Sequence, residues 1–126
     1  MIYIVDDDDF ICRAMLRVLK TVDLTGRAFN SAEDFLQNVD PQASDCLILD
    51  IQLPGMSGLE LHRHLKGQGI RCPVIIVTAF DDDQLKEYAN NRGIVAYFAK
   101  PVDSQDLLDT VLSVIPCTDN VNHPKL

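Results

Sequence analysis

Cys46-Leu47-Ile48-Leu49 is an apolar run with no polar position in it, and it stops on an acid, Asp50. A strand that is apolar on both faces must be covered on both faces, which is the situation of an inner strand in a parallel sheet flanked by helices. Leu53 to Gly58, Leu-Pro-Gly-Met-Ser-Gly, then breaks the pattern with Pro54, Gly55 and Gly58 and reads as a loop. Open parallel sheets bind ligands beyond the carboxyl ends of their strands, so Asp50 is expected at the mouth of any site such a sheet would carry.

The rest of the chain alternates in the same way. Met1 to Val5 is a short β-branched run that ends in Asp6, Asp7, Asp8 and Asp9, and from there Ile11, Met15, Val18 and Val22 recur at helical spacing. Asp8 and Asp9 are expected in that helix's first turn, where negative charge is favoured, which leaves Asp6 and Asp7 at a strand tip. Leu24 to Phe29 is a second strand, entered through Gly26, and Ser31 with Asp34 has the form of a capping box before a short helix over Ala32 to Asn38. Leu61 and Leu65 mark a third helix ended by Gly67 and Gly69, with His62 and His64 read as solvated positions on it.

Pro73 introduces Val74 to Val77, which finishes at Thr78; a fourth helix starts among Asp81 to Asp83 and carries Leu85, Tyr88 and Ala89. Ile94 to Ala99 closes on Lys100-Pro101, and Asp103 with Asp106 opens a last helix striped by Leu107, Leu108, Val111, Leu112 and Ile115 and ended by Pro116. Residues 1–116 are expected to form one domain, and residues 117–126, which lack periodicity, a flexible tail or the start of a linker. Five apolar runs alternating with five helical patterns predict a doubly wound α/β sheet of parallel strands with right-handed crossovers. In such a sheet the strand tips that precede helices share one edge, so Asp6, Asp7, Asp50, Thr78 and Lys100 should converge.

Charge and cysteine content narrow the chemistry. A net charge of -8 and an acidic balance of 19 Asp and Glu against 11 Lys and Arg argue against nucleic acid or a membrane surface as the partner of this domain and in favour of cations. Cys12, Cys46, Cys72 and Cys117 show neither metal-ligand nor Cys-x-x-Cys spacing, and are expected to be reduced thiols in a cytoplasmic protein. No apolar run approaches membrane-spanning length, and no signal peptide is recognisable. Converging carboxylates raise one another's pKa unless a counter-charge sits among them. Mg²⁺, which prefers oxygen ligands and keeps several waters, resolves this, with Mn²⁺ as an alternative. An Asp carboxylate can attack phosphorus to give an acyl phosphate once the phosphoryl oxygens are neutralised, and Lys100 and Thr78 would contribute to that beside Asp50.

An acidic pair after the first strand, an aspartate after the third, Ser or Thr after the fourth and Lys-Pro after the fifth, with a Leu-Pro-Gly-Met-Ser-Gly loop between, resembles the receiver domain of two-component response regulators, the chemotaxis regulator included. The resemblance covers residues 1 to about 116 and implies a flavodoxin-like (βα)5 fold with strand order 2-1-3-4-5. Carried over by residue, it makes Asp50 the phosphoacceptor, fed by a phosphohistidine of a histidine kinase or histidine phosphotransfer protein. Asp7, Asp50 and the backbone carbonyl of Gln52 would hold Mg²⁺, with Asp6 a ligand directly or through water. Thr78 and Lys100 would bind phosphoryl oxygens, and Tyr97 would turn inward as Thr78 moves, altering the face of the fourth helix, fifth strand and fifth helix. Such a domain is regulatory and catalyses only its own phosphorylation and dephosphorylation. Its output would pass to a separate effector protein or to a C-terminal effector domain. Many relatives dimerise on phosphorylation, but Arg92 and Ile94 flank Gly93 where relatives commonly have small residues, which argues against carrying the dimer over.

Two other readings compete. A haloacid-dehalogenase-type phosphatase also uses an aspartate after the first strand, here Asp6 in Asp6-x-Asp8, but leaves Asp50 without a role and needs a cap that the chain has no room for. A phosphate-independent interaction module of the same fold would not require the full set of site residues. Gln52 and Phe80 stand where the family tunes phosphoryl lifetime, and Phe80 is expected to shield the acyl phosphate from water. Replacing Phe80 by serine should therefore shorten the phosphoryl lifetime in a dephosphorylation time course; an unchanged lifetime removes Phe80 from the site.

Overall fold

The computed structural model describes residues 1–79, 83–91 and 94–115. Strands β1 (Ile2–Val5), β2 (Gly26–Phe29), β3 (Cys46–Leu49), β4 (Val74–Thr78) and β5 (Ala96–Ala99) alternate with helices α1 (Asp9–Lys20), α2 (Ala32–Asn38), α3 (Gly58–Gly67), α4 (Asp83–Asn91) and α5 (Ser104–Val114). All strand pairs are parallel, and the sheet order is β2-β1-β3-β4-β5, the expected doubly wound (βα)5 fold. Every residue of β3 and β4 is buried, whereas the edge strands β2 and β5 are mixed. That distribution is what covering both faces of the inner strands requires.

Alternation along the strands feeds two cores. Val5, Leu47, Leu49, Val74 and Ile76 point to one face and pack with Phe35, Leu61 and Leu65. Ile2, Ile4, Cys46, Ile48, Ile75 and Val77 point to the other and pack with Met15, Leu19, Leu107 and Val111. Side chains that alternate sides along a strand leave no polar position free in β3, which is why the run Cys46 to Leu49 is apolar throughout.

The helix starts are set by side-chain caps. Asp8 caps α1, its carboxylate accepting from the backbone N–H of Phe10 and Ile11, so only Asp9 of the acidic run lies inside the first turn. Asp103 caps α5 through the N–H groups of Gln105 and Asp106. Ser31 caps α2 as expected, but the reciprocal half of its box is missing: the Asp34 carboxylate accepts from Asn38 Nδ2 instead. The complete capping box lies at α3, where Ser57 and Glu60 satisfy each other's backbone N–H. The sequence reading treated that stretch only as a loop.

Several expected positions shift. The buried stripe of α1 is Cys12, Met15 and Leu19, with Ile11, Val18 and Val22 on its flanks, and Leu112 of α5 is 43% exposed. His64 is exposed, but His62 is not the solvated residue that its neighbours indicated: it is 4% exposed and its Nδ1 lies 3.1 Å from the Tyr88 hydroxyl of α4. α3 buries Gly58, Leu61, His62 and Leu65 on one side, and α4 covers the ring. Cys12, Cys46 and Cys72 are buried free thiols; burial pushes Cys46 up to about 12 and Cys12 up to about 11, so both stay protonated at neutral pH. Among the described residues no helix is long and apolar enough to cross a membrane. Phe80, Arg92, Gly93, Pro116 and the expected tail at 117–126 lie outside the described residues.

Phe35 is fully buried and meets Tyr3 and Phe29 edge-on, with ring centroids 5.5 Å away in both cases. Truncation forfeits both ring contacts and opens a cavity under β1 and β2. Phe35→Ala should cost about 3–5 kcal/mol, measurable as a lowered urea midpoint; a loss below about 1 kcal/mol would show that this core collapses around the gap.

Candidate functional site

The strand register lifts three side chains to one edge of the sheet. Val5 pairs with Leu49, so the next residues, Asp6 and Asp50, emerge side by side. Backbone hydrogen bonds carry the ladder one step past the strands: Asp6 N donates to Phe29 O and Asp50 N donates to Val5 O. Thr78 pairs with Ala99, and Lys100 N donates to Thr78 O at 2.8 Å. Lys100 therefore starts from the far side of β4, and its long stem carries the ammonium back over the sheet edge to the acids.

The ammonium bridges them. Lys100 Nζ donates to Asp6 Oδ2 at 2.7 Å and to Asp50 Oδ2 at 3.0 Å. The other oxygen of each carboxylate accepts a backbone N–H, Asp6 Oδ1 from Asp8 at 2.9 Å and Asp50 Oδ1 from Gln52 at 3.1 Å. Asp6 and Asp50 are 2% and 5% exposed, while Asp7 is exposed. One carboxylate oxygen from each of Asp6, Asp7 and Asp50 lies within 4.8 Å of the others.

Burial dominates the electrostatics of Asp6 and raises its pKa; the contacts to Lys100 and the Asp8 N–H pull it down, and the neighbouring Asp50 charge pushes it up again. Burial also disfavours the charged form of Lys100, but its bonds to Asp6 and Asp50 outweigh that, and its pKa is raised. One cation between two buried anions leaves the site net negative, with the exposed Asp7 adding to the excess.

Of the expected residues, Asp6, Asp7, Asp50 and Lys100 thus come together. Thr78 is fully buried at the end of β4. Tyr97 is half-buried on β5, paired with Ile76 of β4, one residue along from the pair Ile75 and Ala96. Gln52 is exposed beside Asp7 in a shallow groove that also takes in Leu53, Pro54 and Leu85. Asp8 is committed to capping α1, so it does not face the site as an Asp6-x-Asp8 pair would need.

Two features escaped the sequence reading. Gly58 N donates to Ile51 O at 2.9 Å, folding the loop back on the tip of β3. A Cβ at Gly58 would lie 2.1 Å from the backbone oxygen of Asp50, so no other residue fits this close approach. Glu33, in the first turn of α2, accepts from Met56 N at 2.8 Å across the same loop. Its partner is 23 residues away, and nothing local marks it.

The family profile of the response regulator receiver domain matches residues 2–112. The chain belongs to this family. The match spans the whole sheet and the acid and lysine positions described above. The response regulator TodT of Pseudomonas putida is 35% identical over 115 residues, which cover 91% of this chain and 51% of TodT. The transcriptional regulatory protein FixJ of Azorhizobium caulinodans is 30% identical over 110 residues, covering 87% of this chain and 52% of FixJ. The chain spans about half the length of these relatives. Among solved structures, a receiver protein from Burkholderia phymatum superposes with a TM-score of 0.75 at 35% identity, covering 91% of this chain and 95% of that one. The DrrB receiver domain, solved in a BeF3-activated form, gives a TM-score of 0.79 at 29% identity and covers 90% and 94%. Membership in this family leaves the phosphatase reading without support.

The raised pKa of Asp6 in this receiver domain fixes the sign of its effect on stability. Its folded value lies above the unfolded one, so its charge opposes folding at neutral pH, and the penalty fades as pH falls through the folded value towards the unfolded value near about 3.9. Asp6→Asn in EDTA should therefore raise the urea midpoint at pH 7 and narrow its advantage as the pH drops. A lowered midpoint at pH 7 would mean that the bond to Lys100 outweighs the burial of the charge.

Proposed function

We propose that this domain receives a phosphoryl group on Asp50 from a phosphohistidine of a sensor kinase or phosphotransfer protein and signals by repacking around Thr78 and Tyr97. The observation that carries the reading is the single ammonium of Lys100 held between two buried carboxylates at the carboxyl edge of the sheet. A structural ion pair would need one acid; here the second acid and the exposed third leave an excess of negative charge that calls for a further cation.

The donor set fits a hard divalent ion. Asp6, Asp7 and Asp50 offer only oxygen, already gathered within 4.8 Å, and the Gln52 N–H bond to Asp50 keeps the Gln52 backbone beside them. Asp7, Asp50 and the Gln52 carbonyl would hold Mg²⁺, or Mn²⁺, with Asp6 directly or through water; Asp6 already has one oxygen on Lys100. When bound, the ion supplies positive charge to the phosphoryl oxygens.

An Asp50 carboxylate oxygen attacks phosphorus as the phosphorus–nitrogen bond of phosphohistidine breaks, and the departing imidazole nitrogen takes up a proton. Burial of Asp50 orients the carboxylate, since one of its oxygens is fixed by the Gln52 N–H. Lys100 is already within 3.0 Å of the acceptor and would follow the new negative charge onto a phosphoryl oxygen. Thr78, on the strand beside β3, would turn its hydroxyl to a second oxygen, and Tyr97 would fill the space behind it. Phosphoryl oxygens suit this cradle, and the BeF3-activated form of the DrrB receiver domain favours an anion of that size.

The face of α4, β5 and α5 would then present the signal to an effector, either a separate protein or a domain such as those that make the relatives twice as long. The domain itself would regulate rather than turn over a substrate, and three buried free thiols suit a reducing, cytoplasmic setting. Intact mass after incubation with acetyl phosphate and Mg²⁺ should increase by one phosphoryl group, and the Asp50→Asn variant should not gain it. No gain in the unmodified chain would favour a phosphate-independent interaction module.

A further inference from the structure

We propose that Glu33 is a positioning residue for the site: its carboxylate, reaching from α2, clamps the loop between β3 and α3 and so sets where the Gln52 carbonyl stands. This rests on the reading of Gln52 as part of the cation site.

The loop over residues 51–57 is fastened at three places. At its start, Gln52 N donates to Asp50 Oδ1. At its end, Gly58 N donates to Ile51 O, and the absent Cβ lets the chain press on the Asp50 carbonyl. Between these, Glu33 of α2 holds the loop backbone through Oε2 and the Met56 N–H at 2.8 Å, while the next N–H, of Ser57, belongs to the α3 capping box with Glu60. Bonding to that N–H lowers the Glu33 pKa, as expected of a carboxylate whose charged form accepts the bond.

Gly55 completes the clamp. It sits at φ +73, where side chains are strained, and a Cβ there would come within 2.5 Å of Glu33 Oε2. The loop therefore passes close under the carboxylate because residue 55 has no side chain. Two variants remove the clamp from opposite sides: Glu33→Ala deletes the acceptor, and Gly55→Ala pushes it away. Glu33→Gln keeps an acceptor oxygen without the charge. An acceptor that only stabilised the start of α2 would leave the loop and the cation site untouched when lost, because Ser31 already caps that helix.

The test uses amide hydrogen exchange without metal and Mg²⁺ titration followed by NMR, on the same four proteins. Glu33→Ala and Gly55→Ala should speed exchange at Met56 and Gln52 and weaken Mg²⁺ affinity by roughly two- to tenfold, the range one net hydrogen bond supplies. Glu33→Gln should recover part of both. Unchanged exchange at Met56 and Gln52 would overturn the clamp. Faster exchange with unaltered Mg²⁺ affinity would overturn the positioning role and leave only a loop tether. If the unsubstituted domain binds no Mg²⁺, the site reading itself fails and takes the positioning role with it, while the exchange data still report whether the tether exists.

Discussion

The arrangement depends on how one ammonium is shared. Lys100 starts on an edge strand and ends between Asp6 and Asp50, both nearly sealed from water. Two anions at that depth without a cation would repel at reduced dielectric and lose their hydration, a combination that buried acids normally escape by taking up a proton. The lysine only partly offsets this for Asp6, whose burial still raises its pKa. The fold thus keeps a deliberate excess of negative charge at one sheet edge, and that excess is what a divalent ion would relieve.

Everything else that reaches the site serves to hold this charge arrangement in a fixed geometry. The apolar strand β3 leaves its following acid no choice of height, because Leu49 is locked to Val5 on one side and to Ile76 on the other. The loop then turns back at once, which Gly58 alone permits, and the Ser57–Glu60 box starts α3 immediately afterwards. A looser loop would let water reach Asp50 from that side and raise the effective dielectric in which Lys100 acts. Rigidity in the loop and strength in the ion pair are therefore one property seen from two elements.

The strands and the convergence of Asp6, Asp50 and Lys100 were legible in the sequence because both follow from periodicity and from a rule of parallel sheets. The apolar runs mark the strands, and the tips before helices must share an edge. What was not legible is contact between residues distant in sequence. His62 looks solvated beside polar neighbours, yet α4 covers it and Tyr88 meets its ring. Gly58 reads as one of several loop residues, although its role is to let two backbones touch. Nothing in the sequence singles out Glu33, and its bond to Met56 depends on how α2 lies against the loop. The α1 stripe was right in period and at Met15 but centred one position off at Cys12 and Leu19, because the sheet decides which side of the helix faces inward.

The shared ammonium also explains how a local covalent change could be felt at a distance. A phosphoryl group on Asp50 would bring more negative charge than the carboxylate it replaces and would compete with Asp6 for Lys100. Asp6, less well served, would then lean more on a bound cation, while Lys100 would draw on β5 through a backbone already tied to Thr78. Thr78 is fully buried and Tyr97 half-buried on adjoining strands, and under the proposed switch a shift at one would be met by repacking at the other, in an interior that is close-packed and tolerates discrete arrangements better than continuous deformation. A bias of about 1–3 kcal/mol is enough to move such an equilibrium several-fold to a hundredfold, and a single redistributed charge in a poorly hydrated site supplies energy of that order. The signal, on this account, is carried by where one lysine is pulled.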